Sequence, residues 1–213
     1  MAELTGMREV KQERALRTRA LVARAAAEVF AECGFAGASV TKITQRAGLT
    51  LGAMYFHFEN KEALAREVVR SQPARVSPPR ESRGLQRAID ITLTWAHQLL
   101  DDPFLLAGAR LVMEQCLFIG PEESSHQQWT EAMAQDLALA QSEREVRAGV
   151  DVDAVARLIV NASTGAQMHA HLESGRRDLP HQVMEMWNVL LPTIATPSAL
   201  NRVVIDASRG KSA

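Results

Sequence analysis

The chain has 213 residues, of which 46% are hydrophobic and 23% are charged, and its formal net charge is −1 at pH 7. This composition supplies enough apolar material for a folded core and excludes a disordered or low-complexity chain. No stretch approaches the roughly 20 apolar residues that a membrane span needs, and the polar start lacks the apolar segment of a secretion signal. We therefore expect a cytoplasmic protein with no membrane partner.

The charge is divided unevenly along the chain. Residues 1–83 carry 14 Lys and Arg against 9 Asp and Glu, whereas residues 84–213 carry 10 against 16. The first part therefore suits a polyanion such as DNA, and the second does not. A basic run precedes the first apolar repeat and consists of Arg8, Lys11, Arg14, Arg17, Arg19 and Arg24.

The N-terminal part predicts four helices. Apolar residues between Val22 and Phe30 recur at helical spacing, and Gly34 ends this first helix. The fourth helix runs from Asn60 to about Gln72. The two cysteines, Cys33 and Cys116, fall in helical patterns and are predicted to be small reduced core residues.

The segment between the first and fourth helices predicts a helix-turn-helix. Ser39 caps the second helix, Gly48 provides a turn at positive φ, and Thr50 caps the third helix. Tyr55 and His57 are expected to point outward from this third helix, which suits insertion into a DNA major groove. Three aromatic or thioether side chains of the same helix are assigned to the core: Met54, Phe56 and Phe58.

A larger helical region follows a junction at residues 73–83, where three prolines forbid a regular helix. No alternating strand pattern appears, so we predict an all-α protein. Residues 1–72 form a small domain and residues 84–213 a larger one. Its predicted helices cover 84–101, 103–118, 124–145, 151–174, 180–194 and 197–208.

Several motifs resemble the N-terminal domain of TetR-type repressors over about residues 14–70. They are Val29-Phe30, Gly34-Phe35, Ser39-Val40, Ala47-Gly48-Leu49-Thr50, Gly52, and Tyr55-Phe56-His57-Phe58 before Lys61. The run Ala53–Phe58, with Trp129 and Asp151–Val155, is more narrowly similar to the γ-butyrolactone receptor group of actinomycete regulators. The resemblance implies a homodimer that reads a pseudo-palindromic double-stranded DNA operator, with half-sites about 34 Å apart.

The resemblance also implies which residues approach DNA. Residues at the start of the third helix meet bases or phosphates, and Tyr55 and His57 reach phosphates. A structural role for His57 and a packed position for Tyr55 are the alternatives. The complete predicted set is Arg17, Arg19, Thr41, Lys42, Thr50, Leu51, Gly52, Ala53, Tyr55, His57 and Lys61.

One departure from the group concerns Leu51, where butyrolactone receptors commonly carry lysine. Leucine cannot bind a phosphate, although it can contact a thymine methyl group. We therefore expect a shifted base preference and a weaker salt dependence of DNA binding.

In this family the larger domain holds an apolar cavity, and a small-molecule effector that prefers the DNA-incompetent state releases the operator. Trp129 and Gln72 match receptor pocket positions. An alternative is that Trp129, Thr164 and Gln167 form plain core. The predicted lining is Gln72, Leu106, Met113, Trp129, Met133, Thr164, Gln167 and Met168.

A second departure is Ala166, which stands where receptors of this group have threonine. The hydrogen bond expected to a butyrolactone carbonyl is then missing or moved. This favours a pseudo-receptor that senses a furan or an antibiotic-like molecule.

The last helices are predicted to form the dimer interface. Residues 178–195 carry a broad apolar face that pairs with residues 151–174 in a four-helix bundle across the two-fold axis. Burial of Trp187 within the subunit is the alternative.

These features predict a ligand-responsive transcriptional repressor. A helical enzyme fused to a DNA-binding head and a ligand-independent DNA-binding protein are the alternatives. The sequence offers no nucleophile–base pairing, no metal-ligand spacing and no glycine-rich phosphate loop, so we expect no catalysis, no cofactor and no metal.

Overall fold

The computed structural model describes residues 2–120 and 124–211, with side chains from Gln12 onward. The predicted contacts of Arg8 and Lys11 lie outside the described side chains. Within these ranges the structure contains helices and no strand, so the all-α prediction is confirmed. A single antiparallel bridge joins Val146 to Ala195. No described helix is both long enough and apolar enough to cross a membrane.

The helices of the described chain follow one another with short connections. They are α1 Ala2–Gly37, α2 Val40–Ala47, α3 Leu51–His57, α4 Lys61–Ser71, α5 Gly84–Gln98, α6 Pro103–Leu111, α7 Ser125–Ser142, α8 Val152–Ser174, α9 Leu179–Ile194 and α10 Pro197–Leu200. Short 3₁₀ turns cover Pro73–Arg75, Gln115–Leu117 and Ala207–Gly210.

The first helix is interrupted at Gly34, where φ is 70° and ψ is −175°. The kink removes the backbone partners of the next N–H groups. Phe35 and Ala36 instead donate to the carboxylate of Glu114, at 3.2 and 3.1 Å. The end of α1 is therefore fastened to the segment that follows α6.

Two predicted helices end much earlier in the structure than expected. The helix expected over 103–118 ends at Leu111, and the amide of Gln115 bonds the Val112 carbonyl and the Ser125 N–H. The altered path leaves Cys116 exposed, so its assignment to the core was wrong. The helix expected over 197–208 ends at Leu200, because Gln86 on α5 bonds both backbone groups of Val204.

The segment after α10 is held on α5 through a buried carboxylate. Asp90 is fully buried and accepts two hydrogen bonds from the Arg209 guanidinium, at 2.9 and 2.8 Å. It also accepts from the Ser82 hydroxyl in the junction between the domains. Arg209 supplies the opposite charge that a buried carboxylate requires.

Two apolar cores organise the molecule. One core combines α1–α4 with Phe104, Ala107, Leu111 and Phe118 from α6 and the turn after it. The other contains α5 and α7–α10. Helix α6 therefore packs one face against the N-terminal core, and another face, which includes Leu105, packs against the core of the larger domain.

The apolar face of α9 packs mainly inside its own subunit. Trp187 is fully buried, and its indole N–H donates to the Thr92 hydroxyl at 2.8 Å. The whole apolar face of α9 is therefore not available to a partner subunit. Large apolar residues that stay exposed on α8 and α9 are Leu158, Met168, Leu172 and Val189.

Candidate operator and effector sites

The helix-turn-helix forms through local capping. Ser39 accepts a hydrogen bond from the Lys42 N–H at 3.2 Å and begins α2. Gly48 adopts φ 65° and ψ 32°, which closes α2 in the left-handed conformation. Thr50 then accepts from the Ala53 N–H at 3.2 Å and begins α3. These positions are the caps and the turn that the sequence predicted.

Helix α3 is anchored by Met54, which is fully buried. Its outer face exposes Leu51, Tyr55 and Phe56, with exposed fractions of 47%, 54% and 79%. The assignment of Phe56 to the core was wrong. Phe58 faces inward because its backbone has left the helix (φ −138°, ψ 127°). Helical spacing therefore does not relate the direction of the Phe58 ring to that of the Phe56 ring.

The aromatic pair at the end of α3 shapes its outer surface. The rings of Phe56 and His57 meet edge to face, with centroids 5.0 Å apart. His57 is half-buried, and Gly52 beside them is exposed. A small residue and exposed rings let the helix approach a groove closely.

The residues predicted to contact phosphates at the rim of the motif differ in exposure and in the hydrogen bonds they already make. Thr41 and Lys42 are exposed, and the Lys42 amine donates to the Gly37 carbonyl at 3.0 Å. The Lys61 amine donates to the carbonyls of Phe35 and Ala38, at 2.9 and 3.1 Å. In this structure Lys61 therefore joins the end of α1 to the start of α4.

The two arginines of the predicted lead-in occupy different environments. Arg17 is exposed and pairs with Glu13 on the same helix at 2.6 Å. Arg19 donates two hydrogen bonds to Glu67 on α4, both at 2.7 Å, and lies over the Phe58 ring. The hydrogen bond to Glu67 raises the pKa of Arg19, while partial burial opposes the rise. Arg19 thus holds α1 against α4, and Arg17 remains available at the surface.

A cavity lies between α5, α6, α7 and α8 of the larger domain. Its volume is about 660 Å³ with the open mouth included. The lining consists of Gln72, Ile91, Thr92, Trp95, Leu105, Gly108, Ala109, Val112, Ser125, His126, Trp129, Met133, Ile159, Val160, Ser163, Thr164 and Gln167.

Five of the eight residues predicted to contact an effector line this cavity: Gln72, Trp129, Met133, Thr164 and Gln167. The other three, Leu106, Met113 and Met168, lie outside the lining. Met113 follows the end of α6 and is exposed, and Met168 points away from the cavity on α8.

The positions of Leu106 and Met113 reflect an error of register on α6. The predicted face carried Leu106, Ala109 and Met113; Ala109 does line the cavity, but its companions on the wall are Leu105 and Val112. Residues 105, 109 and 112 lie on one helical face by the same spacing rule, so periodicity alone does not choose between the two faces. The contribution of α5, through Ile91 and Trp95, was not predicted at all.

The wall formed by α8 carries two of the buried polar side chains. Ser163 and Gln167 are buried there, and the Gln167 side-chain oxygen accepts from the Arg176 guanidinium at 3.2 Å. Burial and the nearby positive charge of Arg110 lower the pKa of Arg176. Arg176 also lowers the pKa of His171, with smaller effects from burial and from Arg110.

The cavity reaches the DNA-binding part through Gln72, which follows α4. Gln72 is 3% exposed, and its amide lies against Gly108 of α6. A Cβ added at Gly108 would stand 2.1–2.3 Å from the amide atoms of Gln72. The absence of a side chain at 108 therefore allows this contact between α4 and α6.

An exposed recognition helix and a largely apolar cavity in the adjoining domain together define a class, that of DNA-binding regulators with a ligand-binding domain. No group of three or more metal-ligating side chains occurs in the described residues. The family model described as bacterial regulatory proteins, tetR family, matches residues 22–68. The one described as a tetracyclin repressor-like C-terminal domain matches residues 82–196.

Similar proteins come from actinomycetes of the genus Streptomyces. The A-factor receptor protein of Streptomyces griseus is 37% identical over 193 residues, which are 91% of this chain and 69% of that protein. The structure of full-length native TylP, a TetR regulator from Streptomyces fradiae, has a TM-score of 0.83 and 37% identity, covering 92% of this chain and 95% of that one. CprB from Streptomyces coelicolor, in complex with its biological operator sequence, has a TM-score of 0.71 and 29% identity, covering 92% and 98%.

The chain belongs to the TetR family of bacterial regulatory proteins. Within that family it is a ligand-responsive DNA-binding repressor, as the sequence predicted. Its similarity to the A-factor receptor also agrees with the narrower resemblance to the butyrolactone receptor group.

Proposed function

We propose that the chain acts as a homodimer that occupies a pseudo-palindromic operator and leaves it when a small, mostly apolar signalling molecule enters the cavity. The observation that carries this proposal is the position of Gln72. It directly follows α4, is buried, and lines the cavity. An occupant that moves Gln72 therefore acts on a helix of the DNA-binding part.

The operator surface consists of the start of α3 and the residues around it. Thr50, Leu51, Gly52 and Ala53 face bases or phosphates, with Tyr55 and His57 beside them. Thr41, Lys42 and Arg17 contribute phosphate contacts from the rim. Lys61 and Arg19 support this surface chiefly by holding helices together, because their donors already have protein partners.

The homodimer interface uses the exposed stripe of α8. Leu158, Gly165, Met168 and Leu172 recur at spacings that keep them along one side of the helix. A Cβ added at Gly165 would meet nothing within 4 Å in its own subunit, so a partner helix can approach there. With Val189 of α9, this stripe gives the four-helix bundle an apolar seam.

The effector class follows from the cavity and the relatives together. A relative named as the A-factor receptor supports a lactone-like signal. Ala166, which stands where receptors of the group have threonine, does not line the cavity, whereas Thr164 and Gln167 on either side of the Gly165-Ala166 pair do. A butyrolactone, a furan or an antibiotic-like molecule suits a mostly apolar cavity with a few polar groups.

The remaining assignments complete the proposal. Residues 1–72 form the DNA-binding domain, 73–83 the junction, and 84–213 the ligand-binding and dimerisation domain. The protein works in the cytoplasm, where its operator lies, and it is not an enzyme.

Fluorescence anisotropy with labelled inverted repeats from the gene's neighbourhood tests this function. We expect wild type to bind such a repeat and to be released by an organic extract of the source culture. Trp129→Ala should bind the repeat within about twofold of wild type but resist release, because it removes a large aromatic wall of the cavity. Leu139→Ala, on the exposed side of the same helix, should respond like wild type. Undiminished release of Trp129→Ala would contradict the assignment of the cavity.

A further inference from the structure

Two buried polar side chains stand one turn apart on the cavity face of α8. Ser163 is 8% exposed and Gln167 is 3% exposed, and both line the cavity. The Ser163 hydroxyl has no hydrogen-bond partner among the described residues. A buried hydroxyl without a partner is costly and uncommon in a folded protein, so a ligand is the natural partner for this one.

The orientation of the Gln167 amide follows from its other neighbour. Arg176 donates to the Gln167 side chain at 3.2 Å. A guanidinium has only donors, so the amide oxygen has to face it, and the amide N–H₂ is left to donate to another group. In the described residues no carboxylate pairs with Arg176, and Arg110 adds further positive charge nearby. A charged donor on the amide oxygen polarises the amide and strengthens its N–H donors.

We propose that the effector carries a carbonyl oxygen that binds between the Ser163 hydroxyl and the Gln167 amide N–H₂, with Arg176 as the positioning residue for that amide. This inference rests on the proposed function, because it takes the cavity as the effector site. The remaining walls are mostly apolar, so the carbonyl is attached to an apolar body.

Two other polar groups on the cavity wall already have partners within the protein. The His126 ring nitrogen is hydrogen-bonded to Asn161, and the Thr92 hydroxyl already donates to Ile89 and accepts from Trp187. Thr94 also has a buried hydroxyl without a partner among the described residues, but it does not line the cavity. Thr94 therefore serves as a matched control for Ser163.

The test compares two probes on the purified full-length protein. γ-Decalactone and 2-hexyltetrahydrofuran share a ten-carbon skeleton, and only the lactone has a carbonyl. Binding is followed by tryptophan fluorescence, because Trp95 and Trp129 line the cavity. The quantity measured is the ratio of the two dissociation constants, in which contributions from the common apolar body cancel.

Ser163→Ala should lower the preference for the lactone about three- to tenfold, the value of one hydrogen bond, and leave the ether's affinity unchanged. Thr94→Val should leave the preference at the wild-type value. Neither variant should melt below wild type, because each removes an unpartnered buried hydroxyl. Arg176→Met should also weaken the preference, and Arg176→Lys should restore it by supplying another donor to the amide oxygen.

Four outcomes would overturn the inference. They are an unchanged preference in Ser163→Ala, an equal loss of affinity for both probes, a melting temperature of Ser163→Ala below that of wild type, and no binding of either probe to wild type. Release of the operator by culture extract is measured separately. Failure of this carbonyl site is therefore distinguishable from failure of the proposed repressor function.

Discussion

At the residue scale, Arg17 and Arg19 show how a partner changes the role of a side chain. Both belong to the basic run that predicts DNA contact, and they lie two residues apart on α1. Arg19 is held by Glu67 from a distant helix, whereas Arg17 has only a neighbour on its own exposed surface. The sequence could not show this difference, because Glu67 is 48 residues away from Arg19.

Glutamine substitutions separate the two roles. Arg17→Gln should weaken operator binding and reduce the slope of log affinity against log salt by about 0.9 for each phosphate that the variant no longer neutralises. Arg19→Gln should instead lower the free energy of unfolding by about 1 kcal/mol, the upper range for partly exposed pairs. Anisotropy between 50 and 200 mM salt and urea unfolding measure the two effects, and an equal change of slope in both variants would refute the distinction.

Leu51 should make the base preference and the salt dependence of DNA binding differ from those of receptors that carry lysine at this position. It opens α3 and is 47% exposed on the outer face. Leu51→Lys should raise operator affinity at low salt and steepen the salt slope by about 0.9 for each additional phosphate that it neutralises. Leu139→Lys introduces the same charge at a site with 48% exposure in the larger domain and should change the slope little. If both variants alter the slope alike, Leu51 does not face DNA.

At the element scale, the turn between α2 and α3 depends on one backbone conformation. Gly48 has φ 65° and no neighbour within 4 Å of an added Cβ, so strain in the backbone is the only penalty of a side chain there. Gly48→Ala should therefore cost about 1–2 kcal/mol of unfolding free energy.

Gly149 provides the comparison for Gly48. It also has open space around an added Cβ, but its φ is not positive. Gly149→Ala should be neutral or slightly stabilising, because it restricts the unfolded chain. Urea unfolding at one protein concentration checks both variants, and equal costs would show that something other than φ requires glycine at 48.

Elements bounded by local signals were the ones the sequence could predict. Ser39, Gly48 and Thr50 set the helix-turn-helix through hydrogen bonds between near neighbours. Helix α6 has no glycine or proline at its end, and side chains of Gln115 and Glu114 determine the path that follows. Leu106 and Met113 were therefore wrongly assigned to the inward face of α6, while Trp129 and Gln167 line the cavity.

At the scale of the whole molecule, the two parts are joined by contacts that span large sequence distances. Glu114 holds the end of α1, and Arg66 of α4 donates to the Phe118 carbonyl at 3.0 Å. Gln72 adds the contact with Gly108 at the cavity. Because α6 packs on both sides, a change in the cavity can reach α1 and α4 together. Periodicity identifies such helices but not which distant residues they meet.

The contact between Gln72 and Gly108 gives a direct test of this connection. Gly108→Ala places a Cβ 2.1–2.3 Å from the Gln72 amide and should cost about 1–3 kcal/mol of unfolding free energy through overpacking. The displaced Gln72 should also change the extract concentration needed for operator release. Adding Gln72→Ala makes room for the new methyl group. The double variant should therefore be at least about 0.5 kcal/mol more stable than the sum of the two single effects predicts. This value is the smallest coupling energy usually seen between residues in contact. Simple additivity in urea unfolding would show that α4 and α6 are not coupled through this pair.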